Sequence, residues 1–164
     1  MRLNPGSADI MTTYISWAST FGQPERGADL VDQVIRLNPD YPAWATGPFS
    51  YAYVMAGRYE DALRILEQQS PENYNRFSWV YRAVSNAALG RQEEAKALVA
   101  KTLERHPDLT IETFTGGAGW SDKERELLLG AMRQAGFPAC AKPEQLEDIE
   151  TGIRLPECTA AAAE

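Results

Sequence analysis

Few side chains in this chain are equipped for catalysis or metal binding: Cys140, Cys158, His106 and the run Gly116-Gly117-Ala118-Gly119. Two thiols and one imidazole are metal ligands, but a structural zinc takes about four. His106 is also far in sequence from both cysteines. No metal and no cofactor is expected. The cysteines have two fates open to them, a disulfide closing the 140–158 segment or two free thiols. A phosphate cradle needs a lysine followed by Ser or Thr at a helix start, or a strand before its glycines. Here Trp120 and Ser121 follow the run, and no strand pattern precedes it, so it reads as a loop. A hydrolase needs a base beside its nucleophile. The only histidine, His106, precedes Pro107 at a helix end, where a donor or cation sits naturally. The carboxylates follow helix starts and surfaces, and the chain is expected not to be an enzyme.

Charge narrows the partners. The chain has 164 residues, one domain's worth, and a net charge of −7. Much of that charge lies at one end, where Glu144, Glu147, Asp148, Glu150, Glu157 and Glu164 face Arg154 alone. Phosphate binding needs a basic face, so nucleic acid is not expected as a partner. The acidic tail reads as a solvated, flexible end. No apolar run is long enough to span a membrane, and Met1–Gly6 lacks the apolar core of a secretory leader.

The elements announce themselves by punctuation. Phe21-Gly22-Gln23-Pro24, Ala56-Gly57-Arg58-Tyr59 and Leu89-Gly90-Arg91-Gln92 each place a glycine where one helix ends. Acidic residues then open the next helix, near its positive end. Ala28, Ala62 and Ala95 follow at spacings of 34 and 33; a small residue there lets paired helices approach. Apolar residues recur with helical period at Leu30, Val31, Val34 and Ile35, at Ala62, Leu63 and Leu66, and at Ala95, Leu98, Val99 and Leu103. Helix pairs are predicted at 7–20 with 24–37, 42–56 with 59–70, and 73–89 with 92–106. The stretch 109–114 is the least defined. Ser121 and Glu124 form a capping-box pattern for a helix running to about Ala135, stopped by Gly136 and Pro138. A short helix is expected at 143–150 and disorder from Thr159 to Glu164.

Arg-Leu-Asn-Pro occurs at 2–5 and again at 36–39, and Pro107 lies two further 34-residue periods on. A repeat of this length resembles the tetratricopeptide helix–turn–helix unit. The third unit carries it best, with Trp79, Ala83, Gly90, Ala95 and Pro107 at the signature positions. The second keeps Tyr53, Gly57 and Ala62 but has Ser50 for the usual Gly or Ala and Tyr74 for the closing proline. The first keeps Ala28 and Pro39. The resemblance covers residues 7–107 and implies an all-α superhelical solenoid of about three helix pairs (7–39, 42–72, 73–107). A capping segment and helix at 108–138 and the acidic tail at 139–164 complete the domains. Arg36–Pro42, Gly90–Ala95 and Arg133–Pro138 further resemble the C-terminal repeats attached to bacterial class III adenylate and guanylate cyclases. No cyclase residue is present, so no nucleotide chemistry comes with that resemblance. Leu3 is equivalent by period to Leu37, the last turn of a second helix, so the chain is expected to be the C-terminal part of a longer protein.

Stacked pairs of this kind present a concave face lined by the first helix of each unit. The register puts Tyr14, Trp17, Trp44, Tyr51, Phe77, Tyr81 and Arg82 there as a peptide-binding groove, with Val80 and Val84 beside them. Aromatic and arginine side chains anchor peptides well. Trp79 belongs to the core by register. A clamp for a peptide's terminal carboxylate is not expected, because no lysine precedes Lys96 and the inner helices carry only Arg76 and Arg82. The expected function is non-catalytic protein or peptide binding by an accessory module of a bacterial signalling protein. The partner would be a separate protein or another domain of the same parent chain. The competing expectation is a self-association domain that sets oligomeric state. A soluble protein of the cytoplasm or periplasm is expected, periplasmic if the cysteines pair.

Overall fold

The computed structural model describes residues 8–117, 119–146 and 154–160. The expectations about Leu3, a helix start at residue 7, the second half of the 143–150 helix and residues 161–164 lie outside these. Among the described residues every regular element is helical. Three hairpins come first: α1 (Ala8–Ala18) with α2 (Pro24–Leu37), α3 (Thr46–Met55) with α4 (Tyr59–Glu67), and α5 (Arg76–Ala88) with α6 (Gln92–Arg105). A short α7 (Ile111–Thr115), a longer α8 (Asp122–Ala135), and two single turns, α9 (Pro143–Leu146) and α10 (Pro156–Ala160), follow.

One turn chemistry builds all three hairpins. Gly22, Gly57 and Gly90 take φ of +71°, +70° and +77°, the left-handed conformation that costs glycine least. In each turn the glycine N–H donates to the carbonyl three residues back, and the next N–H to the carbonyl five residues back. The acceptors are Ser19 and Ala18, Val54 and Tyr53, and Ala87 and Asn86. The last carbonyls of the first helix are thereby satisfied. Pro24, Glu60 with Asp61, and Glu93 with Glu94 then start the second helices, matching a spare N–H and the positive end of the dipole.

The residue after the glycine ties hairpins together. Arg58 reaches back to Asp32 of α2, with Nη1 at 2.8 Å from Oδ2, and Arg91 reaches Glu60 of α4 at 2.6 Å. Within the stack, each second helix packs on the first helix of the next pair, and α1, α3 and α5 lie side by side. Ala28, Ala62 and Ala95 are fully buried at the helix crossings. Phe49, Tyr53, Leu66 and Phe114 fill the core, each worth about 1.5–3 kcal/mol of burial. Trp79 is buried, with Tyr74 edge-on at 5.2 Å and Arg105 over its ring at 4.9 Å.

Three expectations change. The least defined stretch is helix α7, started by a reciprocal cap between Thr110 and Thr113. Thr159 and Ala160 are helical in α10 rather than disordered, because Cys140 and Cys158 are joined by a disulfide with Cα atoms 5.3 Å apart. The tail is not a free flexible end, since Glu157, though exposed, pairs with Arg133 at 2.6 Å. The tail is also fixed from within. Glu112 of α7, 1% exposed, accepts the N–H groups of Ala141 and Leu155, each at 2.8 Å, and Arg154 Nε at 3.0 Å.

Candidate functional site

The inner helices and the glycine-rich loop enclose a cleft of about 440 Å³. α1 lends Ser16 and Trp17, and the turn after it Thr20. α3 lends Gly47, Pro48 and Tyr51, and α5 lends Phe77 and Tyr81, with Asn75 just before it. Gly119 and Trp120 close the far side. Rings meet edge to face or tilted throughout: Tyr51 lies 6.0 Å from both Tyr81 and Trp120, and Phe77 lies 6.3 Å from Tyr81 and 5.2 Å from Phe114. Trp120 is held by its indole N–H, which donates to the Phe114 carbonyl at 3.2 Å. Such tilted contacts, with ring centroids within about 7 Å, are the favoured aromatic geometry.

Behind the rings lies a carboxylate. Glu124 sits in the first turn of α8 and closes the capping box with Ser121, whose N–H and hydroxyl both donate to Oε2 at 2.7 Å. Thr20 donates to Oε1 at 3.1 Å from the turn after α1, and the Tyr51 hydroxyl donates to the same oxygen from α3. Only 3% of Glu124 is exposed. Burial favours its neutral acid, but the hydrogen bonds from Ser121, Tyr51 and Thr20 outweigh burial and hold the carboxyl below the ordinary glutamate value. Burial, and then the Glu124 charge, push the Tyr51 and Tyr81 phenols upward, so both stay protonated. Among the described residues no cation lies within ion-pair distance of Glu124.

Four of the seven expected groove residues, Trp17, Tyr51, Phe77 and Tyr81, line this one cleft. Three do not. Trp44 precedes α3 in a short 3-10 turn, Ala43–Ala45, stands 56% exposed and does not line the cleft. Tyr14 lines a neighbouring groove with Ile10, Trp17 and Phe21, where its hydroxyl bonds Gln23 at 3.2 Å and Arg26 covers its ring at 5.7 Å. Arg82 turns to the ring of Tyr74 at 5.8 Å. Val80 and Val84 are fully buried core. Trp120 and Glu124 are the residues that sequence reasoning missed. The capping-box pattern pointed at Glu124, but its contacts to residues 20 and 51 cross 104 and 73 positions. α8 also does more than end the stack. It packs on α5 and α6, and its first turn reaches over the inner face to the turn after α1 and to α3.

Among the described residues no helix is long and apolar enough to cross a membrane, and no His, Cys, Asp and Glu side chains are grouped to hold a metal ion. No family model matches the chain, and no match to a curated protein or to a solved structure was found.

Proposed function

We propose that this chain is a non-catalytic protein-interaction module of tetratricopeptide type that holds a peptide segment of its partner in the aromatic cleft. The observation that carries this is the convergence of Trp17, Tyr51, Phe77, Tyr81 and Trp120, from four separate segments, on one solvent-open cleft. Its lining is mainly ring carbon, with Ser16, Thr20 and Asn75 as the polar side chains beside the tyrosine hydroxyls. Apolar walls with a few orienting polar groups suit a bound segment. Three glycine turns of one geometry, at residues 22, 57 and 90, support the repeat assignment. The place of the module, as the C-terminal accessory part of a larger bacterial signalling protein, rests on the cyclase-associated phrasing of its sequence.

The test is selection of peptides from a random display library, followed by affinity measurement on the Trp17→Ala variant. Trp17 is 51% exposed, so its loss leaves the fold intact. Selected peptides should bind this variant at least about tenfold more weakly, the loss of one aromatic anchor. Equal binding by wild type and variant would remove the cleft from the argument. Tyr51→Ala serves less well than its register position implied, because it would strip a donor from a buried carboxylate.

A second reading is self-association. Ile10 and Trp17 of α1 and Phe21 in the turn after it share one groove and are 45%, 51% and 65% exposed. A concentration-dependent mass in sedimentation, abolished by Phe21→Ser, would favour it.

A further inference from the structure

The molecule contains a completed version of the arrangement that the cleft leaves incomplete. On one side of α3 the Tyr53 hydroxyl donates to Asp32 Oδ1 at 2.7 Å. Arg58 finishes that pair: its guanidinium bonds Asp32 Oδ2 at 2.8 Å and lies 4.7 Å above the Tyr53 ring. Two residues earlier, on the opposite side of α3, the Tyr51 hydroxyl donates to Glu124 in the same way. There no guanidinium follows. Arginines cover Tyr14, Tyr53, Phe77, Tyr74 and Trp79 at 4.7–5.8 Å. Among the described residues none covers Trp17, Tyr51, Tyr81 or Trp120.

Resting on the peptide-binding reading of the same cleft, we propose that it takes an arginine side chain of the partner, stacked against the rings of Trp17, Tyr51 and Trp120 and drawn by the charge of Glu124. Ring faces are negative and attract a cation placed over them. A phenol donating to a carboxylate is polarised by it, which strengthens that attraction. The acceptor sites of Glu124 are already engaged by Thr20, Tyr51 and Ser121. Its contribution is therefore a fixed negative charge behind the ring rather than a new direct bond. Glu124 is 3% exposed, and a buried charge is screened less by solvent and salt than an exposed one. Arg76 lies on Phe77 and Arg125 donates to the Thr115 carbonyl, so neither guanidinium is placed over Trp17, Tyr51 or Trp120. Arginine suits the cleft better than lysine because a guanidinium is planar, stacks on rings and is weakly hydrated.

The probe is a capped peptide carrying arginine, compared with the same peptide carrying neutral citrulline and with a lysine version. Binding is read from the indole N–H resonances of Trp17 and Trp120. The arginine peptide should shift both signals, with citrulline weaker by about tenfold or more and lysine between. Glu124→Gln, which keeps the capping box, should weaken the arginine peptide several-fold and leave the citrulline peptide unchanged. If that variant fails to fold, the citrulline comparison on the unaltered chain decides alone. Equal affinity for arginine and citrulline overturns the arginine proposal. So does a display selection that yields neutral or acidic peptides dependent on Trp17, and that result leaves the peptide-binding reading standing. A library that yields no binder removes both.

Discussion

At the scale of the residue, Glu124 carries the most consequence. It caps its own helix, receives donors from Thr20 after α1 and from Tyr51 of α3, and has no cationic partner among the described residues. Its carboxyl is held below the ordinary glutamate value of about 4.3. Between the folded and unfolded values the unfolded chain binds more protons, so acid destabilises the fold. The stability Glu124 contributes is complete above about pH 5 and is lost as pH falls through its folded value. Glu124→Gln should be less stable than the unaltered chain at pH 7, by about 1–3 kcal/mol. It should also lose less stability between pH 5 and pH 3. Asp32, lowered by Arg58 and Tyr53 against its burial, acts in the same sense in both proteins and cancels from the comparison. Urea midpoints at pH 7, 5 and 3 measure this. Parallel pH profiles for the two proteins would mean that the carboxylate charge adds nothing to the fold.

At the scale of the element, two glycines separate two kinds of constraint. Gly57 has positive φ and nothing within 4 Å of where a Cβ would stand. Gly57→Ala should therefore cost only the conformational penalty, about 1–2 kcal/mol, with Gly57→Asn costing less. Gly27 has ordinary backbone angles, but its Cβ would meet the Ala18 Cβ at 3.1 Å and the Ala52 Cβ at 3.8 Å. Gly27→Ala should force α1 from α2 and cost about 1–3 kcal/mol as overpacking, with no relief from asparagine. Thermal or urea denaturation of the four variants gives the comparison. A Gly27→Asn protein as stable as Gly27→Ala would contradict the steric account. Arg58 makes the same point about side chains: its turn position is local, but its acceptors Asp32 and Asp61 lie on two different helices.

At the scale of the whole molecule, the tail is a strap held at three points. The disulfide joins residues 18 apart, Glu112 grips the backbone near both cysteines, and Arg133 pairs with Glu157. Closing a loop of this length stabilises by about 3 kcal/mol through the unfolded chain. Replacing both cysteines by serine should lower stability by about 2–3 kcal/mol while the helix hairpins stay folded. Thiol titration of unreduced, denatured protein should find none, and two after reduction. Two thiols without reductant would mean that the strap is held by Glu112 and its partners alone.

What the sequence by itself determined is what depends on neighbours along the chain. Glycine at 22, 57 and 90 set the turns, apolar period set the helices, and Ser121 with Glu124 marked a helix start. Each of these rests on backbone geometry within about six residues, so spacing alone carries it. Three expected groove residues fall outside the cleft for the same reason in reverse. Trp44 stands exposed in a turn before α3, Tyr14 meets Gln23 and Arg26, and Arg82 lies on the ring of Tyr74. A side chain's place depends on which neighbours the packed helices offer it. Only the tertiary structure decided that Trp120 closes the cleft, that Glu124 lies behind Tyr51, and that Glu112 holds the tail. Those contacts join residues tens of positions apart. Their energy comes from satisfying buried polar groups and packing rings, which no local pattern encodes.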